Sequence, residues 1–286
     1  MILVTGAGGK TGKAVVKALA AKGETVRAFI HREGLTAPVK ALGARQVSVG
    51  SLDDSNALSW AMIGARAVYH ICPNMSPHEV AFARTAIAAA RGAGVRRFVY
   101  HSVLHPQIEA MPHHWEKMRV EELLFATDLD VTILQPTAYM QNILAGWRAI
   151  AEEGVYCVPY PVETRLSLVD LDDVADAAAR VLTEPGHGGA TYELVGTPPL
   201  SQTEVAGSLS RVLGRPVRAE AQSIDAWEAQ ARAGGMGDYQ RDTLIKMFRW
   251  YAESGLIGNP NALHWLLGRE PGTLDGFATR VAAGRA

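Results

Sequence analysis

Short apolar, β-branched runs recur through the first half of the chain, each followed by a longer stretch with apolar residues at helical spacing. Met1–Thr5 opens the series and predicts a buried parallel strand. A helix pattern runs from about Thr11 to Lys22 and stops at Gly23. Thr25–Ile30, Gln46–Val49, Ala67–Ile71, Arg97–Val103 and Val131–Leu134 predict further strands. Helices are predicted near Ser55–Met62, His78–Arg91 and His114–Ala126. Strands alternating with helices of this length imply βαβ units, hence an α/β, doubly wound and mostly parallel sheet covered on both faces.

The alternation fades after about residue 150. Val155–Pro161, Arg165–Val169, Tyr192–Val195 and Val217–Ala221 predict short extended pieces. Asp172–Leu182 predicts a helix, and Ser201-Gln202-Thr203-Glu204 is a capping box opening another to about Leu213. The expected organisation is a dinucleotide-binding domain over 1–150, with 170–196 contributing, and a smaller mixed lobe over 151–286. Ligands of open α/β sheets bind at the carboxyl ends of the strands, so a cleft between the lobes is the expected site.

Composition narrows the function classes. The 286 residues are 48% hydrophobic, enough for a full core. Net charge is -1, so nothing pulls the chain toward nucleic acid or an anionic membrane. No Arg-rich helix with helix-turn-helix spacing appears, which disfavours direct DNA binding. No apolar run is long enough to span a bilayer, and the N-terminus lacks the pattern of a signal peptide. Cys72 and Cys157 are far apart and in no CxxC pairing, which suits a reducing cytoplasm.

The candidate chemistry begins at LVTGAGGKTGKAVV, residues 3–16. Gly9-Lys10-Thr11 spells the end of a P-loop, but Val4 stands where that loop needs its first glycine. Gly6, Gly9 and Gly12 instead match the turn that opens a dinucleotide-binding βαβ unit. Gly6 allows the tight turn, Gly8 and Gly9 let the backbone approach a pyrophosphate, and Gly12 permits close helix–strand packing. The second strand ends at His31-Arg32, where NAD-binding domains usually carry an acid for the ribose hydroxyl. Arg32 suits a 2′-phosphate, and Lys10 and Lys13 add positive charge. These residues predict NADP(H) over NAD(H). Glu33 is the counter-candidate, since a shift of one residue makes it the ribose ligand.

TGAGGKTG, VRAFIHR, VYHICP, FVYHSVLHPQ, the His-rich stretch with Lys117, and VTILQPTAYMQN follow in order. The ordered set resembles the NmrA-like family of atypical short-chain dehydrogenases/reductases, most strongly from Met1 to about Val174. The resemblance implies a Rossmann domain, a small C-terminal domain and a bound NAD(P). It implies that Ile71-Cys72-Pro73 lines the adenosine side, and that Ser102-Val103 and Gln135-Pro136-Thr137 approach the nicotinamide side. With the glycine turn, the expected cofactor contacts are Thr5, Gly6, Gly8, Gly9, Lys10, Thr11, Gly12, His31, Arg32, Leu52, Cys72, Pro73, Ser102, Lys117, Pro136 and Thr137.

Ordinary short-chain reductases use Tyr-x-x-x-Lys, a spacing that puts proton donor and lysine on one helix face. Here the matching spacing is His113-His114-Trp115-Glu116-Lys117, with His113 in place of the tyrosine. Lys117 and His113 are the candidate catalytic residues, and Tyr139 and Met140 the candidate substrate pocket. His101 and His105 lack a carboxylate partner at useful spacing, so no metal site is expected. The acids of Asp170-Leu171-Asp172-Asp173-Val174 suit a helix cap with acids in its first turn.

The expected function is NADP(H)-dependent hydride transfer to a small apolar carbonyl, enone or quinone. The alternative is a non-catalytic NADP(H)-binding redox sensor that regulates a protein partner. An isomerase using NADP transiently suits the missing tyrosine less well. A homodimer is compatible with either main reading.

Overall fold

Strand β1 (Ile2–Val4) is three apolar residues with no solvent exposure, flanked on both sides by parallel strands. A computed structural model describes residues 1–284 of the chain. From β1 the chain passes through the glycine turn into α1 (Lys10–Ala21), β2 (Val26–Ile30), α2 (Thr36–Ala41), β3 (Gln46–Val49), α3 (Ser55–Met62) and β4 (Ala67–His70). It continues through α4 (Glu79–Gly92), β5 (Arg97–His101), α5 (Pro112–Phe125) and β6 (Asp130–Pro136).

Then come β7 (Ala138–Tyr139), β8 (Val155–Val158), β9 (Arg165–Leu166), β10 (Leu168–Val169), α6 (Leu171–Thr183) and β11 (Thr191–Leu194). The chain closes with β12 (Leu200–Ser201), α7 (Gln202–Leu213), β13 (Arg218–Ala221), α8 (Ile224–Ala233), α9 (Asp238–Ser254), α10 (Asn261–Leu267) and α11 (Leu274–Ala282). No described helix is long and apolar enough to cross a membrane.

Seven strands form the central sheet in the order β11-β6-β5-β4-β1-β2-β3. The pairs from β3 to β6 are all parallel. The fold is the expected α/β doubly wound, Rossmann-type sheet. Strand order reverses beside β1, between β4 and β2, and such a switch point opens a crevice at the carboxyl ends of the strands. Helix α4 packs through Ala83, Ala86, Ile87 and Ala90, a helical stripe whose small side chains allow close approach.

The chain forms two compact units. The first comprises Met1–Glu109, His113–Gln135 and Val174–Tyr192; the second comprises Ala110–Pro112, Pro136–Asp173 and Glu193–Ala286. The second carries three two-stranded pairings: β10 with β7, β12 with β9, and β13 with β8. Within it, Tyr160, Trp227, Phe248 and Tyr251 form an edge-packed aromatic cluster.

Two expectations are corrected. Arg165–Val169 is two strands, because Ser167 breaks the run and accepts an N–H from Gly258 at its side-chain oxygen. The acids of Asp170–Val174 do more than cap α6. Asp170 accepts the Asp172 N–H at 3.1 Å as a cap does, and it also holds Arg280 and Gln141. Asp173 is 3% exposed and binds Arg269 at 2.7 Å and the Gly272 N–H at 2.6 Å. The capping box of α7 forms as its sequence predicts.

Candidate active site

The turn between β1 and α1 has the backbone a pyrophosphate cradle requires. Gly6 adopts φ +57°, and a side chain there would meet Ile71 at 2.8 Å. A Cβ at Gly12 would overlap Gly6 O and come within 2.7 Å of Ala7 Cα. Helix α1 starts at Gly9 with no side-chain cap and no acid in its first turn. Such an N-terminus favours an anionic group. These features fit a dinucleotide and not the P-loop.

Around the turn the other expected contacts take distinct positions. Thr5 is fully buried, and its Oγ1 accepts the Ile71 N–H at 3.0 Å and meets His70 Nδ1 at 3.1 Å, tying β1 to β4. Thr11 is buried on α1, while burial lowers the Lys10 pKa. His31, Arg32 and Glu33 are exposed. The short 3₁₀ turn Glu33–Leu35 folds Leu35 over the glycine loop, 2.5 Å from where a Gly8 Cβ would stand. Leu52 belongs to the hydrophobic core beside Phe29 and Leu58. Cys72 is buried, and its desolvated thiol has a pKa well above the usual range; Pro73 is exposed.

A buried polar network occupies the carboxyl ends of β4 and β5. Helix α5 turns His114, Lys117, Glu121 and Leu124 inward, at helical spacing. Lys117 Nζ donates to Glu79 Oε1 at 2.8 Å and to His101 O at 3.1 Å, and lies 5.3 Å over the Tyr100 ring. Tyr100 donates its hydroxyl to the same Glu79 oxygen at 2.8 Å. Side-chain exposures of 14% for Lys117 and 4% for Glu79 make this a buried ion pair. Two of the three ammonium protons of Lys117 are thereby engaged.

Burial lowers the pKa of His70, His101, His113 and His114 and favours their neutral forms. Burial brings His113 down to about 2 and His101 to about 3. Burial likewise brings His70 and His114 to about 4. His114 Nδ1 faces His105 O at 3.1 Å, and His101 Nδ1 shares a hydrogen bond with the Tyr69 hydroxyl. His113 Nδ1 is buried without a hydrogen-bond partner, its ring edge-on to His114 at 4.5 Å.

Sequence reasoning missed three members of this network. Glu79, Tyr100 and Glu121 come from different elements and meet only in three dimensions. Their one signal in the sequence is an acid or hydroxyl inside an otherwise apolar pattern. In the second unit, Pro136 and Thr137 are buried, and Thr137 Oγ1 donates to Ser167 O at 2.9 Å. There Tyr139 is half-buried on β7 and Met140 fully buried. No cluster of His, Cys, Asp or Glu among the described residues is arranged to hold a metal ion.

The chain is 30% identical to an NAD(P)H azoreductase of Xenophilus azovorans, over 99% of this chain and 98% of that protein. It is 35% identical to a (4-alkanoyl-5-oxo-2,5-dihydrofuran-3-yl)methyl phosphate reductase of Streptomyces griseus, over 84% of this chain and 82% of the relative. Its fold matches the crystal structure of an NADPH-dependent quinone oxidoreductase from Escherichia coli complexed with NADPH, with TM-score 0.86 and 27% identity over 99% of this chain and 100% of the other. The NmrA-like family model matches residues 1–279. The glycine turn, the sheet order and this end-to-end match agree: the chain belongs to the NmrA-like family.

Proposed function

We propose that the protein is an NADPH-dependent reductase that transfers hydride to a quinone, an enone or a comparably activated double bond. The observation that carries the substrate class is the burial of His113, whose Nδ1 has no hydrogen-bond partner. His113, in the tyrosine's position, has its pKa brought down to about 2 by burial. A ring so weakly basic is not an imidazolium at pH 7, and its remaining ring N–H is a far weaker acid than an imidazolium or a phenol held by lysine. Acceptors that leave a stabilised anion after hydride arrives, as quinones and enones do, suit such a site better than simple ketones.

NADPH supplies the hydride when bound. Gly6–Gly12 would hold its pyrophosphate, and Arg32 its 2′-phosphate, in preference to NADH. Lys117, fixed by Glu79 and His101 O, keeps one N–H for the ribose or for the developing oxyanion. His113 serves as a neutral polar wall, and water returns the proton. The names of the azoreductase and the quinone oxidoreductase support acceptors of this kind.

Steady-state NADPH oxidation with a quinone, an azo dye, an enone and a simple ketone tests the reading. Turnover of the first three without the ketone is expected. Turnover of the ketone alone overturns the substrate class. Tight NADPH binding with no turnover across the panel favours the redox-sensor reading instead.

A further inference from the structure

Strand β3 ends the central sheet and is open on its outer side. Its sequence is Gln-Val-Ser-Val, and in the sheet it pairs only with β2. The Arg45 N–H bonds inward, to Val26 O. Bonding direction alternates along a strand, so Gln46 and Ser48 turn their N–H and C=O outward. Among the described residues no strand meets those four groups. Sheet edges are normally blunted by a charge, a proline or a bulge. β3 has none of these, whereas β11 at the opposite edge carries Glu193.

Apolar side chains lie beside the same edge. Arg27 ties it to the end of α3, donating to Gln46 Oε1 at 2.8 Å and to Ile63 O at 3.0 Å. Ile63 is 53% exposed, Trp60 one turn before it 73%, and Val49 on the strand itself 39%. The two ends of the edge differ in charge. Arg45 precedes the strand, and Asp53 follows it on the turn that Ser51 O closes with the Asp54 N–H. Both side chains are exposed, and among the described residues neither has an ionic or hydrogen-bond partner.

We propose that β3 is a homodimer interface, pairing antiparallel with β3 of a second copy and joining two seven-stranded sheets into one. The charges choose this occupant. Antiparallel pairing brings the basic start of each strand to the acidic finish of the other, so Arg45 meets the second copy's Asp53 twice over. A two-fold contact uses the same surface on both sides. The outward donors and acceptors of Gln46 and Ser48 supply what such self-pairing needs. Trp60 and Ile63 cover the seam on the α3 side and leave water as the copies meet.

Sedimentation of the full chain across micromolar concentrations tests the interface. Wild type is expected at twice the chain mass. Arg45→Glu and Asp53→Arg, each alone, are expected to weaken the dimer about tenfold. The double exchange, which restores opposite charges, should return it to within about threefold of wild type. Ser48→Pro removes an outward N–H that β2 does not use and is expected to leave monomers. Amide hydrogen exchange at Gln46 and Ser48 should slow in the dimer relative to the monomeric variants. A wild-type chain that stays monomeric overturns the proposal, as does one recovered with a different protein on this edge. A dimer indifferent to the charge variants, or one whose Gln46 and Ser48 amides exchange as in the monomer, is built elsewhere and overturns it too. A double exchange as weak as the single variants overturns the antiparallel arrangement. If Ser48→Pro fails to fold, the charge exchange decides.

Discussion

The glycine turn and the network under helix α5 both belong to the first unit, yet they are built on opposite plans. The turn is local: Gly6, Gly8, Gly9 and Gly12 lie within seven consecutive positions, and backbone geometry does the work. The network is assembled from afar. Lys117 meets Glu79 across 38 residues, and Glu121 meets Ser102 across 19. The turn relies on missing side chains, and the network on buried charges that hold one another. Local geometry tolerates little substitution but fails locally. A buried ionic network fails as a whole when one member is lost.

Acid separates the two regions most. His70, His101 and His114 have folded-state pKa values of about 4, 3 and 4, below the roughly 6.5 of an unfolded chain. Their neutral burial is thus fully compatible with folding above pH 6.5. Stability is lost as pH falls below that value, until the folded pKa values are reached. Between pH 7 and 5 each loses about 2 kcal/mol, about 6 in all, comparable with the stability of many domains. Urea midpoints across this range check it, and a flat profile would show the rings are more solvated than their burial implies.

Breaking the ion pair is the next largest effect. Lys117→Met leaves Glu79 buried and uncompensated and is expected to cost about 3–5 kcal/mol. The Lys117→Met/Glu79→Gln double variant should recover part of the loss, with a coupling of about 1–3 kcal/mol in denaturation. Additive losses would mean that the pair is not coupled.

Gly12→Ala tests the turn. Its new methyl would overlap backbone, which cannot give way as a side chain can. A loss of about 3 kcal/mol, with NADPH binding abolished, is expected in urea denaturation and ligand titration. Arg32→Ala should have the smallest effect on the fold, since the side chain is exposed. It should weaken NADPH about tenfold and leave NADH within about twofold. Equal losses would make Arg32 structural.

The same contrast explains what could be read from the sequence. Short β-rich runs bounded by turns marked β1 to β6 to within a few residues, most plainly at β1, where a buried parallel strand is apolar throughout. The capping box and the glycine spacing were legible because their partners lie three residues apart. Helix α5 was legible as a helix, but its inward stripe of His114, Lys117 and Glu121 reads as solvent-facing when partners are unknown. The Tyr-x-x-x-Lys spacing pointed to Lys117 and gave no hint that Glu79 and Tyr100 enclose it. Helix α2 and the 3₁₀ and π turns of 140–153 escaped notice, being short and without strong periodicity.

The Asp170–Arg280 and Asp173–Arg269 pairs of the second unit have a consequence for biosynthesis. Asp173 and Asp170 leave the ribosome 96 and 110 residues before the arginines that neutralise them, Arg269 and Arg280. Until those arginines emerge, the two carboxylates lack their cationic partners, and burying them would carry an uncompensated desolvation penalty. The unit therefore completes its packing only when the 269–280 segment has been synthesised. A nascent chain stalled before Arg269 exposes Asp170 and Asp173 to water and leaves this part of the protein open to proteases and chaperones.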